Sequence, residues 1–256
     1  MVSIYKSLLA VYFSVGVLCL IGGGIFLNHF PDASVVYFVL LIAILFVTIK
    51  ILTRIAKRRF QRDALSLLDN CNVRAYLEAL TRLIGKKRGK RFVSMYSSLS
   101  ALGYDVLGDY DSLYSSCMNI KDKTYMPFYH RRMFTYYIKK NELDKARGER
   151  EALQTIASAT KNKAVLKMIE GFVTECDYSL KFHTGDLEGV EEYYTEMLNK
   201  EGNLPLITRV SYACVLSEVL IAKNRKEEAK DHLIFVSSRG GDTKYKKLAD
   251  KLLAEW

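Results

Sequence analysis

Proline and tryptophan are scarce in this chain, at three and one among 256 residues, and its five cysteines and four histidines are widely scattered. So little proline, in a chain that is 50% hydrophobic and 12% aromatic, excludes a collagenous or low-complexity protein and leaves too much core material for disorder. Cys19, Cys71, Cys117, Cys176 and Cys214 are odd in number and lack CxxC spacing. They give no disulfide framework and no thiolate metal site, and read as buried, reduced thiols in a cytosolic setting. His29, His130, His183 and His232 do not pair at metal-ligand spacing. A P-loop, a GxGxxG after a strand, an HExxH pair and a GxSxG elbow are all missing. No catalytic residue, metal ligand set or cofactor signature emerges, and the expectation is a protein that is not an enzyme.

Charge is missing from one region in particular. Residues 1–53 hold two basic residues, Lys6 and Lys50, and one acid, Asp32. Leu8 to Leu27 is uncharged over 20 residues, and a helix of that length, at about 1.5 Å per residue, matches a hydrocarbon core of about 30 Å. A second uncharged stretch runs from Ala33 to Ile49, and Lys50 can snorkel so that the apolar length reaches Leu52. The link between them, NHFPDA, carries Pro31 and no Lys or Arg. Two spans, about 8–27 and 33–52, are therefore expected to form an antiparallel transmembrane hairpin, with Gly22, Gly23 and Gly24 packing inside it. A cleaved signal peptide is the competing reading. Against it stand the length of the first run, the lack of an Ala-x-Ala-like site and the second span that follows at once. Ionisable side chains, which ion and proton pathways need, do not occur in the middle of either span, which argues against a transporter or channel.

The positive charge is concentrated next to this apolar head. Residues 54–100 hold twelve Lys and Arg against three acids, a net +9, whereas the remaining 156 residues hold 24 of each sign. Arg54, Lys57, Arg58, Arg59 and Arg62 follow the second span directly, and Lys86, Lys87, Arg88, Lys90 and Arg91 form a second cluster. Basic residues are retained on the cytoplasmic side, so both termini and the rest of the chain are expected there, at the cell (plasma) membrane. Anionic lipid headgroups attract juxtamembrane Lys or Arg by about 1 kcal/mol each, which makes a membrane-surface role for residues 54–91 the alternative to topology alone. Nucleic acid is not expected as a partner, because the balanced body beyond residue 100 offers no long basic face.

Beyond residue 54 apolar residues recur three and four apart and no strand pattern appears, so the fold class is all-α. Five short segments line up: NCNVRA at 70–75, GDYDSL at 108–113, NELDKA at 141–146, GDLEGV at 185–190 and NRKEEA at 224–229. Each begins with Gly or Asn, residues that accept the left-handed conformation ending a helix, and closes on a residue that opens the next helix face. Their starts lie 38, 33, 44 and 39 residues apart. After the corners an apolar stripe recurs: Leu113, Cys117 and Ile120; Val190, Tyr194 and Met197; Ala229, Leu233 and Val236. A single hairpin cannot bury such a stripe, so hairpins stack. Thr243 to Trp256 reads as a capping helix with Lys244, Lys246 and Lys247 in water and Tyr245, Leu248 and Leu252 on the core.

These spacings bracket the helical hairpin of about 34 residues of the tetratricopeptide family. The region from about 62 to 256, with the repeat domain proper from 92, resembles a divergent tetratricopeptide-like solenoid in Ala101 and Tyr104 with GDY, in Tyr137 and Ala146, in Val190 with Tyr194, and in Ala229 with Leu233. It departs from the family in having no opening tryptophan, no closing proline and Arg150 where an aromatic is expected. The resemblance implies a concave face, lined by the first helix of each hairpin, that takes a protein or peptide partner. MPFYHRRMFTYYIKK, residues 126–140, is the densest mix of aromatic and basic groups, and Tyr129, Arg132, Tyr136 and Lys139 are its candidate partner-binding residues. The expected function is a membrane-anchored scaffold or adaptor on the cytoplasmic face. A small-ligand sensor or enzyme with a pocket in the solenoid, and an anionic-lipid-binding membrane-remodelling protein, are the alternatives.

Overall fold

Helix is the only regular structure among the described residues, which in this computed structural model are 13–14, 16–17, 21–22, 24, 34–81, 89–200 and 204–256, with several side chains between 34 and 63 outside the description. The chain separates into two compact units, Met1–Leu65 and Ser66–Trp256. Among the described residues no helix is long and apolar enough to cross a membrane. Of the expected first span, 8–27, only 13–14, 16–17, 21–22 and 24 are described, and residue 33 and the side chains of 34–38 and 49 in the second lie outside the described residues. What is described there is helix α1 (Ser34–Asp69), on which Val39, Leu40, Ile42, Ile44, Phe46, Val47 and Ile51 are exposed.

The second unit is a succession of helices: α2 (Val73–Thr81), α3 (Lys90–Leu107), α4 (Tyr110–Met118), α5 (Met126–Lys139), α6 (Leu143–Ala159), α7 (Lys163–His183), α8 (Val190–Asn199), α9 (Leu206–Ala222), α10 (Lys226–Arg239) and α11 (Lys244–Ala254). A short 3-10 turn, Lys123–Tyr125, leads into α5. All five corner segments are helix-to-helix turns of one kind. At each, an amide donates five residues back to a carbonyl in the preceding helix: Asn72 to Leu67, Asp109 to Tyr104, Glu142 to Tyr137, Asp186 to Lys181 and Arg225 to Leu220, at 2.8–3.0 Å. That bond closes a left-handed residue and satisfies a carbonyl the helix end would leave free. The left-handed residues are Cys71 (φ 60°), Gly108 (82°), Asn141 (58°), Gly185 (81°) and Asn224 (61°). At the first corner the expectation of Asn70 is corrected by one residue, because the left-handed turn falls on Cys71.

Packing follows the hairpins in series. Ala101, Leu113, Cys117 and Met133 join α3, α4 and α5; Phe134, Ala146, Leu153, Ile169 and Cys176 join α5, α6 and α7; Val190, Tyr194, Tyr212, Leu216 and Ala229 join α8, α9 and α10. The small residues expected at the crossings, Ala101, Ala146 and Ala229, are fully buried. Between α2 and α3, Gly103 allows a close approach, since a methyl there would meet Leu77 at 2.7 Å.

The fourth cluster departs from a simple line. Val210, Ala213, Cys214, Leu233, Val236 and Ala249 are joined in it by Cys71, from the first corner. Asp242, between α10 and α11, accepts the amides of Val73 and Arg74 at 2.7 and 2.9 Å, and its own amide donates to the Cys71 carbonyl at 3.2 Å. The last corner of the unit thus caps the N-terminus of α2, where the first turn of any helix leaves amides without partners.

Candidate functional site

Charged side chains on α3, α5, α7, α9 and α11 meet inside the second unit. Asp105 on α3 is at its centre: its Oδ1 accepts Lys244 Nζ from α11 and its Oδ2 accepts Arg132 Nη1 from α5, both at 2.6 Å. The neighbouring Arg131 donates to Glu175 Oε2 on α7, from Nη2 at 3.0 Å and Nε at 3.3 Å, and from Nη1 to Thr135 at 2.9 Å. The hydroxyl of Tyr212 on α9 donates to the other oxygen of Glu175 at 3.0 Å. Alternate helices are in this way tied by charge-assisted bonds, stronger than neutral ones.

The electrostatics follow from who faces whom. Burial pushes the Asp105 carboxyl upward, but Lys244 and then Arg132 outweigh it and hold the group at about 2. Burial likewise lowers the Lys244 ammonium, and Asp105 more than restores it, so that the pair is charged throughout the physiological range. Glu218 on α9 differs: burial raises its carboxyl to about 7, against the opposing pull of Lys139 and Lys244. Among the described residues Glu218 has no ion pair, and neither has Lys139, whose ammonium lies 5.9 Å from the Tyr110 ring centre; Lys244 approaches the same ring at 5.5 Å.

The four candidate partner residues are distributed by this arrangement. Arg132 is engaged with Asp105 and its side chain is only 16% exposed. Tyr129 and Tyr136 pack against the cluster of Ala101, Leu113, Cys117 and Met133, with Tyr136 also 5.0 Å from Tyr114 between ring centres. Lys139 is exposed. Tyr129 also borders a shallow cavity of about 320 Å³ with Met118, Ile120, Lys121 and Met126. Of the basic collar, Arg62, Lys90 and Arg91 are exposed, the latter two in the first turn of α3, where the helix dipole disfavours cations. The side chains of Arg54, Lys57, Arg58 and Arg59 and all of Lys86, Lys87 and Arg88 lie outside the described residues.

Two expectations for the chain end change. Lys244 does not face water but is paired with Asp105, and Lys246 is half-buried, its Nζ donating to the Ser237 carbonyl at 2.8 Å; Lys247 is exposed as expected. Arg150, the departure from the family pattern, makes a two-pronged pair with Asp177 across α6 and α7, at 2.7 and 2.8 Å. Cys71, Cys117, Cys176 and Cys214 are buried and unpaired, with thiols raised by burial, to about 11 for Cys71 and Cys176 and about 12 for Cys117, which makes them inert as nucleophiles at neutral pH. Cys19 lies outside the described residues. Among the described residues no three His, Cys, Asp or Glu side chains converge as a metal site would require.

Asp105, Arg131, Glu175, Tyr212 and Glu218 were not singled out from the sequence, and Lys244 was read only as a solvent-facing lysine. For two of them a signal was present: Asp105 and Glu218 are lone charges inside otherwise uncharged stretches, SALGYDVLG and CVLSEVLIA. No protein-family model matches the chain, and no curated protein or solved structure matches it either.

Proposed function

We propose that this protein is a membrane-anchored scaffold: a transmembrane hairpin, spans about 8–27 and 33–52, holding a tetratricopeptide-like helical array that receives a protein partner on the cytoplasmic side. The observation that carries the anchor is the surface of α1, where Val39, Leu40, Ile42, Ile44, Phe46 and Val47 are 49–64% exposed within one uncharged stretch. Six large apolar side chains in water on one segment mark a surface meant for lipid or for another protein. Three of the five corners stand between helices that pack as hairpins, α3 with α4, α5 with α6 and α9 with α10, and that repetition supports the array. The collar, from Arg54 to Arg62 and from Lys86 to Arg91, faces anionic headgroups in this reading.

Two experiments test it. Membranes bearing the full chain are washed with alkaline carbonate: an anchored protein stays in the pellet, and release into the supernatant sinks the anchor. Intact complexes are then purified in mild detergent and weighed by native mass spectrometry. A stoichiometric protein partner supports the scaffold, and a bound metabolite in its place favours a sensor.

A further inference from the structure

The two ends of the second unit are fastened to each other at three places. Asp242 caps Val73 and Arg74, its amide holds the Cys71 carbonyl, and Lys244, two residues further on, reaches Asp105. These three ties are polar, and the apolar cover beside them is thin. Helix α11 buries one side chain completely, Ala249, with Tyr245, Leu248, Leu252 and Leu253 partly covered, whereas α9 buries eight. Segments with few buried apolar groups open at lower free energy than the body of a protein. Two glycines, Gly240 and Gly241, precede Asp242, and Gly241 sits at φ 56°, so the backbone at this point is built for a sharp change of direction.

We propose that residues 240–254 form a detachable strap, which opens as one piece and uncovers the charged face around Asp105 and Arg132 that it otherwise closes. Beneath the strap lie two of the buried thiols. Gly241 packs on Cys71, where an added methyl would meet the cysteine Cβ at 3.0 Å, and Cys214 directs its thiol to the Tyr245 carbonyl at 4.0 Å. Cys117 and Cys176 belong to other clusters, to which α11 contributes no residue. The charges at the fastening have opposite senses: Asp242 gives its carboxylate to α2 and Lys244 takes one from α3, so removing either releases a different anchor of the same piece. That the strap governs partner access rests on the scaffold reading above; its existence as a unit does not.

The full chain carrying Cys19→Ser is kept in detergent and its thiols are titrated with a maleimide, site by site, by peptide mass spectrometry. Lys244→Met and, separately, Asp242→Asn should raise the labelling rates of Cys71 and Cys214 together by at least tenfold while Cys117 and Cys176 keep theirs. Acceleration of all four thiols at once, of Cys71 without Cys214, or of none, overturns the strap. The milder Asp242→Asn, which keeps an oxygen for the cap, should fall between the parent chain and Lys244→Met. None of these readings involves a partner, so a failed strap leaves the scaffold standing and a missing partner leaves the strap standing.

Discussion

Lys244 and Asp105 stand 139 positions apart in the chain and 2.6 Å apart in space, at the point where α11 returns to α3. Asp105 serves two cations, since Arg132 holds its other oxygen. Removing one member of a buried charge group leaves the rest desolvated without compensation, which costs about 3–5 kcal/mol. Asp105→Ala should lower the unfolding free energy of the second unit by that amount in urea titration, and Lys244→Met by less, because Arg132 still balances Asp105. Asp105→Ala combined with Lys244→Met should cost less than the two losses added, recovering only part because Arg132 is then left alone. Full additivity would show that the pair is not coupled.

Acidity separates two carboxyls of the same site. Asp105 has its native value held near 2, below the ordinary 3.8, so its contribution is present above 3.8 and is lost as pH falls toward 2. Glu218 has the opposite sign. Its native value, raised to about 7 from 4.5, means the folded chain binds the proton more tightly, and stability declines as pH rises from about 4.5 to about 7. At one pKa unit per about 1.4 kcal/mol, neutralising Glu218 should return up to about 3 kcal/mol. Glu218→Gln should therefore raise the thermal midpoint at pH 8 and leave it nearly unchanged at pH 4. An equal shift at both pH values would mean that the carboxyl stays ionised.

The corners were legible because their chemistry is local. A left-handed residue needs Gly or Asn, and four of the five corners place one there; the exception, Cys71, is held by Gly241 and Asp242 from the far end of the chain, which no local pattern records. Helical period and the stripes on α4, α8 and α10 were legible for the same reason. The charge network was not, because Asp105 draws its partners from residues 132 and 244, and Glu175 from 131 and 212. Lys244 illustrates the limit: next to Lys246 and Lys247 it reads as one more solvated lysine, and only the returning chain brings it to Asp105.

Asn224 and Asn141 sit at φ 61° and 58°, where a side chain is strained and glycine is not. Asn224→Gly should be neutral or stabilising by a few tenths of a kcal/mol, since the relief of strain is opposed by the added freedom of the unfolded chain. Asn224→Val, β-branched at the same angle, should destabilise by about 1–2 kcal/mol. The order Gly, Asn, Val in chemical denaturation checks the left-handed turn, and an unchanged midpoint for Val would refute it.

Gly185 and Gly241 share the left-handed conformation, at φ 81° and 56°, but differ in the space around them. A methyl on Gly185 meets nothing within 4 Å, whereas one on Gly241 would stand 2.3 Å from the Cys71 carbonyl oxygen. Gly185→Ala therefore carries backbone strain alone, about 1–2 kcal/mol. Gly241→Ala carries that strain and also forces the corner away from Cys71, which lengthens the bond from the Asp242 amide and pulls the Asp242 carboxylate from Val73 and Arg74. Loss of an N-cap costs about 1 kcal/mol more, and the carbonyl is backbone that cannot step aside. The second substitution should exceed the first by at least about 1 kcal/mol in unfolding free energy, and amide hydrogen exchange in the first turn of α2 should quicken with Gly241→Ala but not with Gly185→Ala. Equal losses for the two variants, with α2 undisturbed in both, would mean that the last corner does not hold the first.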